Sequence, residues 1–202
     1  MSVVHLIDTV TKWAQINICD KIKLKQPPGA QNAPDDFRYE YKLVTPAAFS
    51  MYVPTADKNP PKFNPPTPSV CVQFVAGQDE LSSASGFVDI QLCFATWDPG
   101  THGKDALKPN GEGGYKPSTD GKFEKNGDGW RDAWNFVDIA LREIGSSIKI
   151  GEYTIDRNTP VKYGPLTEQE AIADFYPFWF AWIGFRLNYS LMRNIEDLQE
   201  FL

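Results

Sequence analysis

The chain has little of what catalytic and metal-binding proteins are usually built around. It holds two histidines and three cysteines in 202 residues. No serine or cysteine nucleophile pattern accompanies His5 or His102, so both read as solvated histidines rather than catalytic bases. Cys19, Cys71 and Cys93 are odd in number and include no C-x-x-C pair, which argues against a disulfide framework and against zinc. Buried free thiols are expected instead. There is no basic excess: the net charge is −6 and the pI near 5.0, opposite to the footprint of a general nucleic-acid binder. No long apolar run is present either. The most apolar stretch, Phe175 to Phe185, is 11 residues and contains Pro177, whereas a membrane helix needs ~20. Residues 2–18 lack a charged segment followed by an apolar one, so no signal peptide is expected and the chain is predicted to be soluble.

What is present is a core-forming complement: 42% of residues are hydrophobic and 13% aromatic. Domains of ~100–200 residues are common, so one domain over 1–202 is expected, with insertions at 54–69 and 99–129. Residues 2–18 predict an amphipathic helix capped by Ser2, with Val3, Leu6, Ile7, Val10, Ala14 and Asn17 recurring at steps of three and four. Trp130 to Ile144 predicts a second helix. Its stripe is Trp134, Val137, Leu141 and Ile144, with Ala133 and Ala140 beside it, Asp128 as cap and Gly145 as stop. A short third helix is expected over 194–202.

Strands are expected over 39–44, 49–53, 70–75 and 87–97, the last with Val88, Ile90, Leu92 and Phe94 on one face. Short pieces follow at 148–150, 153–155 and 161–163. Phe178 to Leu191 predicts a long strand, apolar on both faces in its first half and on one face from Phe185. Six prolines in 54–69 exclude a helix or central strand there and predict an extended arm. Gly77 to Gly86 reads as a polar hairpin-type loop, and the Gly- and Lys-rich 99–129 as a long solvated one. Segregated strands with two helices predict an α+β fold, a mainly antiparallel sheet with two long helices packed on one face, plus long loop and arm insertions.

No motif carries obvious chemistry. Gly100-Thr101-His102-Gly103-Lys104-Asp105 lacks the phosphate-loop spacing and the Ser/Thr after lysine. Asp120, Asn126, Asp128 and Asp132 lack the twelve-residue calcium loop with its terminal glutamate. Paired carboxylates (Asp35 and Asp36, Asp79 and Glu80, Glu168 and Glu170) fall in expected loops, with no apolar setting for glycosidase-type work. The run Tyr176, Phe178, Trp179, Phe180, Trp182 is a candidate stacking platform for sugar or single-stranded nucleic acid. Strand alternation sends these rings to opposite faces, which favours core packing on one side and subunit packing on the other. No enzyme, cofactor or metal is expected.

Five segments, taken in order, carry a resemblance over roughly residues 86–193. Ala95-Thr96-Trp97-Asp98 closes a sheet strand, and Asp128-Gly129-Trp130-Arg131-Asp132 opens a helix. A return with Pro160 and Gly164 follows, then Glu168-Gln169-Glu170 and Tyr176-Pro177-Phe178-Trp179. This order resembles the tail-terminator and tail-completion proteins of bacterial viruses and phage-like particles. The resemblance implies a small α+β domain in a six-fold ring that sits on the last layer of the tail tube and stops its growth. The upper face of such a ring meets the head-proximal connector. The implied partners are further copies of the chain, the tail tube protein, a sheath if the tail is contractile, and DNA passing through the lumen without sequence-specific binding. The implied location is a virion or tail-like particle assembled in a bacterial cytoplasm, with no membrane partner.

The arm 54–69 and the loop 99–129 are longer than a minimal member of that family needs. Lys104, Lys108, Lys116, Lys122 and Lys125 in the loop are candidate assembly-interface residues for an acidic neighbour. Phe63 in the arm, Trp179 and Arg186 join them. The alternatives are another neck, collar or sheath-binding tail protein, and a ligand-binding module using the exposed aromatics.

Overall fold

Helix formation begins where the sequence places a cap. The Ser2 hydroxyl accepts a hydrogen bond from the His5 amide at 3.4 Å, and α1 runs Val3–Asn17. Its stripe buries Leu6, Ile7, Val10 and Ala14. A 3-10 turn, Cys19–Lys21, follows, and then β1, Leu24–Gln26. The computed structural model describes residues 2–27, 42–53, 67–102, 107–109, 111, 115–117, 123–124, 127–168, 171–172 and 175–191; at 101–109, 115–124, 168 and 171–172 the description is of the backbone. The expected helix over 194–202, residues 39–41 of the first expected strand, and most of the proline-rich arm lie outside the described residues.

The strands continue as β2 (Lys42–Val44), β3 (Ala47–Ser50), β4 (Ser69–Glu80), β5 (Ser85–Trp97), β6 (Thr101–His102), β7 (Leu107–Pro109), β8 (Tyr115–Pro117) and β9 (Phe123–Glu124). Helix α2, Trp130–Ser146, precedes β10 (Lys149–Ile150), β11 (Tyr153–Ile155), β12 (Lys162–Pro165), β13 (Thr167–Glu168), β14 (Ala171–Ile172) and β15 (Phe178–Ser190). Seven strands form the main sheet in the order β10-β11-β15-β5-β4-β3, with β12 also pairing with β15. Strand β15 is its spine. It pairs with β5 over its whole length, and its other edge takes β12 at residues 181–184 and β11 at 187–188.

Rows across the sheet show how the core is filled. Val70, Phe94 and Ala181 stand in register, as do Val72, Leu92 and Ile183. These residues belong to one buried cluster to which both helices contribute, with Phe136 packed edge-on against Phe94 at 4.8 Å. Such an aromatic pair contributes ~0.5–1.5 kcal/mol beyond its buried area. Helix α2 buries Ala133, Phe136, Val137, Ala140 and Ile144. Trp134 and Leu141, expected in its stripe, are half-buried at the flank.

The expected α+β fold, an antiparallel sheet with two long helices on one face, is corrected. The arrangement is mixed α/β, with a curled, mostly antiparallel sheet of seven strands and two helices of 15 and 17 residues. Strand β3 runs parallel to β4. Each helix sits on its own strands, α1 against β3 and β4 and α2 against β5 and β15. The physical reason is twist. Strands β5 and β15 are 13 residues long, and a register shift between Phe74 and Ala76 bends β4. Right-handed twist accumulates along strands of this length and bulges increase it, so the sheet curls away from a common plane.

Two expected loops are also corrected. The polar stretch 77–86 continues β4 and β5 into a hairpin closed at 81–84. Within 99–129, β6 pairs with β9 and β7 with β8, both antiparallel and one nested inside the other. The expected loop insertion therefore carries an interrupted β-hairpin. Helix α2 runs through the expected Gly145 stop to Ser146, and its N-cap is Gly129 rather than Asp128, with no side-chain cap.

Candidate assembly surface

Three of the segments that carry the sequence resemblance, 95–98, 128–132 and 176–179, meet at one place, the root of the 101–124 hairpin. Asp98 ends β5 there. Its carboxylate accepts from the Lys25 ammonium at 2.6 Å and from the Gly100 amide at 2.9 Å. The Asp98 amide donates to the Pro177 carbonyl, and the Asp98 carbonyl accepts from the Trp179 indole at 3.0 Å. The Tyr176 hydroxyl donates to the Pro99 carbonyl at 2.6 Å. Gly129 closes the knot. A β-carbon at this position would stand 2.2 Å from the Trp179 Nε1 and 2.8 Å from the Asp98 carbonyl oxygen. Only a glycine lets the start of α2 come this close.

Electrostatics at the root are finely set. Asp98 is buried and paired with Lys25 on β1. Asp132, in the first turn of α2, has its carboxyl pKa raised, chiefly by burial, with Lys25 opposing the rise and Asp98 adding to it. Burial and Asp98 also raise the Tyr176 hydroxyl. The root therefore ties together β1, the end of β5, the start of α2 and the start of β15. That is a rigid mount for an arm.

Beside this mount lies an apolar groove of about 370 Å³ lined by Trp130, Trp134, Pro165, Leu166, Trp179 and Phe180. Trp130 and Leu166 are each 43% exposed. Phe175 meets Phe180 edge-on at 5.6 Å, and the Arg131 guanidinium lies 4.8 Å from the Trp130 ring centre. The groove lies between the start of α2, the end of β12 and the start of β15. On the outer side of the main sheet the positions alternate with the core rows. Cys71, Cys93 and Trp182 form one outer row, and Gln73, Gln91 and Gly184 the next. None of these belongs to the buried cluster. A smaller cleft of about 260 Å³ lies further along this side, lined in part by Gln91, Lys162, Trp182 and Arg186.

The candidate residues fall in different settings. Trp179 lines the groove and also holds the root. Arg186 is engaged within the chain: its guanidinium donates twice to Asp89, at 2.8 and 3.0 Å, and stands 3.6 Å from the Phe87 ring centre. Backbone register sets Lys108 opposite Lys116 in the β7–β8 ladder. Lys104, Lys122, Lys125 and Phe63 lie outside the described residues. Sequence reasoning missed Trp130, Trp134 and Leu166 as surface residues. Trp134 is expected in the core stripe and Trp130 only as the start of the helix, and the signal available was their place in the first turns of a helix that follows an Asp-Gly pair. Among the described residues there is no group of three or more His, Cys, Asp or Glu placed to hold a metal, and no helix is long and apolar enough to cross a membrane.

No protein-family model matches the chain, and no curated protein matches it.

Proposed function

We propose that this protein is a structural component of a phage tail or tail-like particle that caps the tail tube, stops its polymerisation and joins the next component. The observation that carries the reading is the surplus of aromatic surface. The core cluster is filled from one side of the sheet, yet Trp130, Leu166, Phe175 and Phe178 remain substantially exposed around one end of β15. Contiguous apolar patches of this kind mark interfaces. The opposed Lys108 and Lys116 positions add support. Like charges directly opposite on neighbouring strands are unfavourable alone, and an acidic partner would relieve them. The meeting of three resemblance segments, at Asp98, Gly129 and Trp179, is consistent with the same reading.

A capping ring works by non-equivalence. The tube subunit stacks head to tail without closure, so growth ends when a ring binds the last layer through a matching surface and presents a different one above. The test is electron microscopy of the purified protein, alone and with tube ends, together with deletion of its coding region. Closed rings seated on tube ends are expected, and tubes of abnormal length in the deletion. Tubes of normal length, properly joined, would overturn the capping role.

The groove supports a second reading, because its volume lies within the ~300–1,000 Å³ typical of small-molecule sites. In that reading the protein is a monomeric ligand-binding module, and light scattering with an aromatic or glycan ligand separates the two.

A further inference from the structure

We propose that Cys71 and Cys93 are a redox modification site, two thiols on neighbouring strands that close into a reversible cross-strand disulfide on meeting an oxidised small-molecule disulfide such as glutathione disulfide. The pair is independent of the assembly reading and closes whether or not copies of the chain associate.

The ladder brings the two thiols together. Register sets Cys71 of β4 directly opposite Cys93 of β5, and the irregularity in this ladder falls further along, between Phe74 and Ala76. Directly opposed residues in an antiparallel pair have Cα atoms ~4.5–5.5 Å apart and side chains on one face. A disulfide spans Cα separations of ~4.4–6.8 Å, so either kind of opposed pair suits it. Side-chain contacts agree with the register. The Cys93 thiol donates to Gln73 Oε1 at 3.4 Å, and the Gln91 amide donates to Cys93 Sγ at 3.4 Å. Gln73 also hydrogen-bonds the Cys71 thiol, so one side chain touches both sulfurs. Cys19 is fully buried in the core cluster and takes no part.

The two thiols are unequal, and that sets the order of events. Cys71 is 4% exposed, whereas Cys93 is half-buried. An outside reagent therefore reaches Cys93. The Gln91 amide favours its thiolate, against the burial that raises the thiol. The Cys93 thiolate attacks one sulfur of the small disulfide. A mixed disulfide forms, the old S–S bond breaks, and one small thiolate leaves and takes up the proton that Cys93 released. The Cys71 thiolate then attacks Cys93 Sγ. The Cys71–Cys93 bond forms, the mixed bond breaks, and the second small thiol leaves with the Cys71 proton. Two protein thiols are oxidised and one small disulfide is reduced to two thiols. The second step needs no outside access, because its target lies beside Cys71 in the ladder. Burial raises both thiols, so both steps are slow near neutral pH. That suits a change that follows passage from a reducing to an oxidising compartment. Closure ties β4 to β5 and restricts the unfolded chain.

The test is prolonged exposure of the native full-length protein to glutathione disulfide, followed by acid quench, alkylation and peptide mapping by mass spectrometry. The expected product is a monomer lighter by about 2 Da, the two hydrogens lost. It yields one linked peptide pair holding Cys71 and Cys93, leaves Cys19 to be alkylated only after denaturation, and reverts with dithiothreitol. Its Tm is expected to exceed that of the reduced form. Cys71→Ser is expected to stop at glutathione held on Cys93, which marks Cys93 as the entry thiol and Cys71 as the one that displaces it. Four results overturn the proposal: three free thiols after exposure, glutathione retained on Cys93 of the wild type, a bond to Cys19 or between chains, or an oxidised form that melts below the reduced one. The wild-type map decides the matter even if Cys71→Ser fails to fold.

Discussion

The two sides of β15 differ more than any other two regions of the molecule. On one side Ala181, Ile183, Phe185 and Leu187 are buried in the cluster that both helices help to fill. On the other, Phe178, Phe180, Trp182 and Arg186 are exposed or half-buried. One strand, alternating at every residue, carries both sets. The lesson is that the first side is fixed by the fold and the second is free to be fixed by a partner. Even so, the outer side is not loose. The Trp182 indole donates to the Pro165 carbonyl at 3.0 Å, and Arg186 is forked onto Asp89. Its rings are held ready, which lowers the ordering cost of association.

The comparison breaks first on the buried side. Val137 is completely buried in the middle of α2. Val137→Asp places an unpaired carboxylate in the core, at a cost of several kcal/mol against a total of ~5–15 kcal/mol. Loss of the cooperative thermal transition is expected, and an unchanged Tm would mean that this helix face is not buried. Gly129→Ala comes next. The new methyl group collides with Trp179 and Asp98, so a cost of ~1–3 kcal/mol is expected for overpacking. For a chain of this length that is a fall in Tm of ~2–4 °C per kcal/mol. A Tm equal to wild type would show that the root yields without cost.

Asp132 sharpens the comparison through pH. Burial raises its folded-state pKa above the ordinary carboxylate value. Between the unfolded and folded values the native state holds more protons than the unfolded one, so this group's contribution is present at low pH and lost as pH rises through the folded value. Asp132→Asn removes that loss. The Tm difference, variant minus wild type, is expected to increase upward from about pH 4, near the ordinary carboxylate range. A constant or falling difference would contradict the burial of this carboxyl.

The smallest effect is on thiol chemistry. Burial pushes the Cys19 thiol up to about 12 and Cys71 to about 11. Cys93, on the outer side, is raised as well but half-exposed. Thiolate is the reactive form, so maleimide should label Cys93 slowly in the native protein and Cys19 only after unfolding. Mass spectrometry of partly labelled protein reads the order, and Cys19 labelled first would invert the assignment of sides.

Much of the buried side was legible in the sequence. The 3.6-residue stripe of α1, its Ser2 cap and the alternation of Val88, Ile90, Leu92 and Phe94 are local signals of burial, and the structure has these elements. Phe136 escaped because the expected stripe ran through Trp134 and Leu141, whereas the buried one runs through Ala133, Phe136, Val137, Ala140 and Ile144. The strand character of the 77–86 hairpin arms escaped for a different reason. Val75 to Glu80 are exposed on both faces, so no apolar alternation marks them as strand. The parallel pairing of β3 and the curl of the sheet depend on partners far apart in sequence, which local patterns do not encode. The root was legible only as separate segments. That Asp98, Gly129 and Trp179 touch is a long-range fact. The groove escaped with it, since Trp130 and Leu166 meet only once α2 and β12 are placed.

The most direct test of the division between the two sides is the assembly state of W130S combined with F178S, measured by sedimentation velocity beside wild type, with and without tube ends. Both residues are substantially exposed in the single chain, and surface substitutions usually change stability by within ~0.5 kcal/mol. The account predicts a wild-type Tm and lost assembly. A variant that assembles like wild type, or one that unfolds, would contradict it.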